Sequence, residues 1–404
     1  MKRPIHECVS REELLRWTGD LVAIPSYSGL PEQEAAVGAY LKGVFDSEGV
    51  DCRIVPLRDG RCNVAAALSG TGGGKSLMLN GHMDTVPAYG MERAFEPWID
   101  DAGRLHGRGA ADMKGPLAAM LGALVAIKRS GVRLRGDLLF CAVADEEEGS
   151  LGTVALVEGG VRADAAVVGE PTGGRSVAVA QKGLEWFQFD FIGRTVHGGS
   201  YRAGVNAINQ AVKFINALHS RLAPELETRA LPLAGESTLN IGVIRGGTQL
   251  STVPGECFVQ LDRRFVPGLE TWESCVAELR EIAESLAAED PEFKYEMKVL
   301  ESSRMEKGYV HQGFALNPDD AFVRAVGRGV ERALGVEARI SGCPCWTDAG
   351  LIAHYAGMPV VVYGPGEMEC AHTNEEHIAL EALEEGLRAY VAIAREWCDQ
   401  ANSE

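Results

Sequence analysis

The chain lacks a long apolar run, a dense basic cluster, an internal repeat and any low-complexity tract. Its longest apolar window, 116–127, falls short of the roughly 20 residues a membrane-spanning helix needs, so it reads as a core helix. The opening MKRPIHECVSREELL has basic residues but no apolar stretch behind them, and a secretory signal is not expected. With 39 Lys+Arg against 57 Asp+Glu the formal net charge is −18, which disfavours a phosphate backbone as partner. Neither nucleic acid nor a membrane is expected to bind. Of the 10 cysteines only Cys343 and Cys345 in SGCPCW are closely spaced, and no second pair faces them as a thiolate zinc site requires. A disulfide framework is therefore not expected, and the protein is placed in the cytoplasm.

What is present is an ordinary globular composition, 46% hydrophobic and 24% charged, in 404 residues. That length exceeds what one hydrophobic core usually serves, so two domains are expected. In the first part, helical patterns such as REELLRWTGDLVAI alternate with short apolar runs, CNVAAAL, SLMLN, DLLFCAVA and DAAVVG. That alternation predicts an α/β layer structure with a largely parallel sheet. From about Gln181 the texture changes: KGLEWFQFDFIGR alternates with period two, helices follow near 206–219 and in TWESCVAELREIAESLAAE, and STLNIGVIRGG and CFVQLDRRF read as strands. After Leu300 the earlier style returns. The simplest account is a domain over 1–183 and 304–404, interrupted by an inserted α+β unit over 184–303.

The stretch LNGHMDTVP, residues 79–87, ends an apolar run in a histidine and an aspartate one residue apart. In open α/β sheets ligands gather at the carboxyl ends of strands. His82 and Asp84 follow SLMLN, Glu146, Glu147 and Glu148 follow LLFCAVAD, Glu170 follows AAVVG, and His372 comes a short loop after PVVVYGPG. Acids converging from several strands repel one another unless cations compensate. Imidazole and carboxylate ligands without thiolate suit zinc, with manganese or cobalt as substitutes, and their number is enough for two ions.

The segments HMDTVP, GRGAADMKG, DEEEGSLGT, VGEPTG and AHTNEEH, in this order, closely resemble the signatures of the M20 metallopeptidase and deacylase family, which includes acetylornithine deacetylase, succinyl-diaminopimelate desuccinylase, aminoacylases and glutamate carboxypeptidases. The resemblance covers nearly the whole chain. It implies a phosphorylase/hydrolase-like di-metal catalytic domain with an inserted, ferredoxin-like lid or dimerisation domain. By the same resemblance Asp112 bridges two divalent ions, His82 and Glu170 complete one shell, and Glu147 and His372 the other. Asp84 accepts a hydrogen bond from His82 and orients it, Glu146 is the general base, and the peptide bond Asp112–Met113 is cis. In the inserted domain the resemblance implies that His197 reaches the neighbouring subunit's site in a homodimer, and that Asn240 and Arg264 bind the substrate's carboxylate side, with Arg263 the alternative one position away. An arginine fork suits that task.

The function so implied is a two-metal amide hydrolase that removes an acyl group from an N-acyl amino acid. A dipeptidase or carboxypeptidase using the same site is the alternative, followed by an aminohydrolase and by a non-catalytic relative, whose mark would be loss of the base or the ligands. Glu148 reads as solvated, His354 and His377 as structural, and TGGGKS as a connection, since it lacks P-loop spacing. For the segment SSRMEKGYVHQGFALNP, 302–318, no motif guides a reading.

Overall fold

The computed structural model describes residues 3–401 and divides into two compact units. The first comprises the described residues up to Ala180, Leu316–Cys343 and the chain from Thr347 onward; the second comprises Gln181–Ala315 and Pro344–Trp346. The second unit thus runs past the 184–303 drawn from patterning. Its later residues pair within it: Leu184 N–H donates to the His311 carbonyl at 2.9 Å, and Trp346 Nε1 to the Gln312 carbonyl at 2.9 Å. No described helix is long and apolar enough to cross a membrane.

The first unit is built on an eight-stranded sheet in the order Asp51–Pro56, Cys62–Leu68, Leu138–Val143, Leu77–His82, Ala165–Val168, Val360–Val362, Ser176–Ala178, Arg339–Ser341. The sheet is mixed rather than largely parallel. The four strands from Leu138–Val143 to Val360–Val362 run parallel to one another. Asp51–Pro56, Cys62–Leu68 and Leu138–Val143 are antiparallel neighbours. Only five residues separate the first two of these, which suffices for a hairpin and is too short for the crossover a parallel pair requires.

The apolar window becomes the helix Lys114–Ser130, buried continuously from Lys114 to Ile127. Pro116 lies in its first turn, where its missing N–H costs nothing, and Gly131 at φ 71° ends it. The closing helix Leu380–Cys398 packs against it. Gly122 permits the approach, because a Cβ there would lie 2.7 Å from a Leu387 methyl.

The second unit has the chain order strand Gly183–Ile192, helix Ala207–Ala217, strands Thr238–Gly246 and Glu256–Phe265, helix Trp272–Glu289 and strand Lys294–Val299. These four strands form an antiparallel sheet in the order Thr238–Gly246, Glu256–Phe265, Gly183–Ile192, Lys294–Val299, which is the ferredoxin-like arrangement. Period two sorts the faces. Phe187, Phe189 and Phe191 point inward with Phe214 into an apolar core, while Trp186, Gln188 and Asp190 stay half-exposed on the other face.

Phe189, fully buried with its ring 4.3 Å from that of Phe214, tests the alternation. Phe189→Ala is expected to destabilise the second unit by about 3–5 kcal/mol. Glu296→Ala, at an exposed position of the neighbouring strand, should stay within about 0.5 kcal/mol. Denaturant unfolding of the two variants checks this, and equal losses would contradict the face assignment.

Candidate metal centre

Because the four central strands are parallel, their carboxyl ends share one edge, and the residues that follow them meet there. His82 ends Leu77–His82, Glu146 and Glu147 follow Leu138–Val143, Glu170 follows Ala165–Val168, and His372 lies in the loop after Val360–Val362. Asp112 arrives from the turn just before the buried helix Lys114–Ser130. Its two oxygens are divided between the imidazoles: Oδ1 lies 3.0 Å from His82 Nε2, and Oδ2 lies 3.2 Å from His372 Nε2. Glu170 Oε1 is 3.6 Å from His82 Nε2, and Glu147 Oε2 is 3.1 Å from His372 Nε2. Two triads result, His82–Asp112–Glu170 and Asp112–Glu147–His372, each with its ligand atoms within 4.8 Å of one another. The five residues named from the resemblance are thus brought together, with Asp112 common to both triads.

The turn that carries Asp112 is held by a residue that sequence reasoning missed. Glu376 is fully buried, and its Oε1 accepts backbone N–H groups from Gly109 at 3.0 Å, Ala111 at 3.1 Å and Asp112 at 3.1 Å. Its Oε2 takes Arg108 Nη1 at 2.5 Å, while Arg108 also donates to the carbonyls of Pro87 and Ala88 at 3.1 and 3.3 Å. A buried charge survives only when paired and hydrogen-bonded. This one pair ties together the segments HMDTVPA, GRGAADM and HTNEEH. Each charge stands beside a recognised motif, but the partners are 268 residues apart and nothing in the sequence couples them. The peptide bond Asp112–Met113 is cis.

The His82–Asp84 pair works differently from the expectation. His82 Nδ1 lies 3.0 Å from the main-chain carbonyl of Asp84 and 3.6 Å from its carboxylate. A carbonyl only accepts, so Nδ1 carries a hydrogen, and Nε2 is the nitrogen that faces Asp112 and Glu170. The Asp84 carboxylate instead accepts the backbone N–H of Glu146 at 3.2 Å and of Glu147 at 3.0 Å. It therefore positions the acidic turn. The turn has a second anchor, also missed: Arg61 bonds Glu34 through two nitrogens, at 2.8 and 2.5 Å, and Asp145 at 2.7 Å. Asp145 sits at φ 73°, a conformation aspartate tolerates better than most residues. Gly152 completes the support, since a Cβ there would lie 2.3 Å from the Ala144 nitrogen.

The electrostatics follow from acids crowded out of water. Hydrogen bonds to Asp112 and then Glu147 push His372 up to about 10 against the opposing effect of burial. Burial works against a charge on His82, yet Glu170, Asp112 and Asp84 outweigh it and raise its pKa well above the usual value. Burial likewise favours a neutral Asp112, but His372 and His82 hold it below the ordinary carboxylate range. Burial and then Glu170 lift Glu146 well above the usual range, with His82 opposing, and burial lifts Asp84 to about 7. Protons on the imidazoles balance the acids of this edge. A bound divalent cation would compensate the same acids once its ligands had lost their protons.

The donor set fits divalent cations. Two imidazole nitrogens and three carboxylates, with Asp112 offering one oxygen to each triad, form an N/O environment without thiolate, suited to zinc and its close substitutes. Glu148 is exposed, as is His354; His377 is half-buried with its ring 5.1 Å from that of His106.

In the second unit, His197 is exposed and precedes the turn Gly198–Ala203, its Nδ1 accepting the Gly199 N–H at 3.1 Å. Asn240 is exposed on Thr238–Gly246, opposite Asp262. Arg264 is half-exposed and grips Asp262 at 2.8 and 3.0 Å. Arg263 is fully buried against Ser237 and Glu270. Of the two adjacent arginines Arg264 stays half-exposed, because alternation turns its neighbour into the core.

Comparison with known proteins gives the following. The model of peptidase family M20/M25/M40 matches residues 78–396. The chain is 28% identical to an N-formyl-4-amino-5-aminomethyl-2-methylpyrimidine deformylase of Halalkalibacterium halodurans, over 97% of this chain and 96% of that protein. It is 30% identical to an acetylornithine deacetylase of Proteus mirabilis, over 90% and 91%. Among solved structures, aminopeptidase PepT of Bacillus cereus superposes with a TM-score of 0.79 at 26% identity, covering 96% of this chain and 99% of that one.

Glu376 offers a direct test of the support beneath Asp112. Glu376→Gln is expected to weaken divalent-cation affinity about 10–100-fold, the usual cost of losing such a supporting contact. Competition with a chelator reads the affinity, and an unchanged value would show that the turn holds its shape without the carboxylate.

Proposed function

The chain belongs to peptidase family M20/M25/M40, a family of hydrolases acting on amide bonds, and from that premise we propose that it removes the acyl group from an N-acyl amino acid. The observation that carries the reading is the pair of triads sharing Asp112, with Glu146 beside the ligand Glu147. His82, Asp112 and Glu170 would hold one divalent cation, and Asp112, Glu147 and His372 a second, with zinc the first choice and cobalt or manganese as substitutes. When bound, such ions supply Lewis acidity toward the amide carbonyl and acidify water. Glu146 takes the proton of the attacking water and returns it to the amine nitrogen as the C–N bond breaks. Asp84 keeps Glu146 and Glu147 in place through their backbone N–H groups.

For the remainder of the substrate, Arg264 and Asn240 are proposed to receive the carboxylate side. His197 is proposed to act across a homodimer joined through the second unit. The cytoplasm is the proposed location. A second reading rests on the 28% identity to the pyrimidine deformylase over 97% of the chain: release of formate from an N-formyl aminomethyl heterocycle.

Metal-reconstituted protein assayed against N-acetyl and N-succinyl amino acids, dipeptides and an N-formylaminomethyl pyrimidine separates these readings. Turnover is expected on the N-acyl amino acids; turnover of peptides alone, or of the formyl heterocycle alone, would overturn the choice. Glu146→Gln is expected to keep its divalent ions while kcat falls about a hundred- to ten-thousandfold. A wild-type rate in that variant would assign the base elsewhere. Light scattering is expected to give twice the 43.3 kDa chain mass; a fully active monomer would remove the proposed role of His197.

A further inference from the structure

The segment 302–318 carries His311, a residue no motif explains. Cross-strand register places it. In the second unit's sheet Thr238 stands opposite Arg264 and Arg264 opposite Leu184, and an isolated β-bridge beside the sheet sets Leu184 opposite His311. Directly opposed residues share a face, so Arg264 and His311 flank Leu184 on the half-exposed side of the sheet, their backbones about 10 Å apart across two strand spacings.

Each side chain has unused hydrogen-bonding capacity. Arg264 has five N–H donors, and its contacts with Asp262 use Nε and Nη2. The His311 side chain is buried, and its Nδ1 has no hydrogen-bond partner. The ring stands edge-on to Trp346 at 4.6 Å, an apolar contact that fixes its plane and leaves that nitrogen unsatisfied. A buried polar atom without a partner is costly and calls for an explanation. Burial and then Arg264 push His311 down to about 4, and burial and then Arg264 also lower Lys182, with Glu236 and Asp262 opposing; the Lys182 amine bonds the Glu236 carbonyl at 2.9 Å. His311 is therefore a neutral imidazole beside a guanidinium, and its N–H can donate to an anion that Arg264 attracts.

We propose that His311 is a specificity-determining residue which, together with Arg264, selects substrates bearing a carboxylate over the corresponding carboxamides. The proposal rests on the reading of Arg264 as the carboxylate-binding arginine and adds a second donor to it. With Nδ1 carrying the hydrogen, His311 donates to the second oxygen of a carboxylate, whereas an amide has a single oxygen, which Arg264 takes.

The test measures binding in the Glu146→Gln background, so that substrate is not consumed. Calorimetry compares N-acetyl-L-ornithine, N-acetyl-L-methionine and N-acetyl-L-glutamate with their α-carboxamides. The parent is expected to prefer the acids. His311→Phe, which keeps an aromatic ring against Trp346, is expected to weaken binding of the acids about 10–100-fold, as loss of a hydrogen bond to a charged group does, and to leave the amides unchanged. His311→Asn, whose amide nitrogen can occupy the Nδ1 position, should retain most of the preference. His311→Gln, which carries its amide farther out, should lose it and replaces the phenylalanine variant if that one does not fold. An undiminished acid preference in His311→Phe or His311→Gln would overturn the proposal, as would equal weakening of acids and amides. If the parent itself shows no acid preference, the role of Arg264 fails and the proposal fails with it. If the Glu146→Gln parent prefers acids but the unsubstituted enzyme turns over only peptides, the acyl-amino-acid reading falls while the His311 comparison still stands.

Discussion

One carboxylate governs the site. Asp112 divides its oxygens between two imidazoles, and that division places two clusters of ligand atoms side by side. An anion in that position cannot rely on water, so the protein supplies fixed partners: imidazoles at the carboxylate and Glu376 beneath its backbone. Glu376 holds the Asp112 turn through the backbone N–H groups of Gly109, Ala111 and Asp112.

The support is ionic because the loops cannot be held by packing. Loops at a sheet edge have few apolar neighbours and many backbone groups to satisfy. Glu376 meets that need by taking three N–H groups and an arginine at once, and Asp84 does the same for the acidic turn. Asp84, expected to orient the His82 ring, and Glu376, beside a motif but without an expected role, both hold the backbone. In a low-dielectric edge such groups carry both the geometry and the field, so their loss would affect both.

Much of this was legible in the sequence. The alternating apolar runs located the central strands, the turn residues marked where they stop, and the ordered segments from HMDTVP to AHTNEEH pointed to the family to which the chain belongs. Less legible was the mixed character of the sheet, since a run such as CNVAAAL has the same apolar signature whether its neighbour is parallel or antiparallel. The Glu376–Arg108 and Glu34–Arg61–Asp145 pairings left no trace either, because an isolated charge beside a motif looks like any solvated residue.

The sequence by itself determined which chemistry was available: histidines and acids at strand ends, an arginine pair in an alternating strand, a buried helix opening with proline. These are local properties, set by residue type and periodicity. Only the tertiary structure decided which of the adjacent arginines meets solvent, that Asp84 binds backbone rather than the His82 ring through its carboxylate, and that an orphaned nitrogen on His311 shares a face with Arg264. Those outcomes depend on strand register and on charges paired across hundreds of residues, which only folding brings within hydrogen-bond distance.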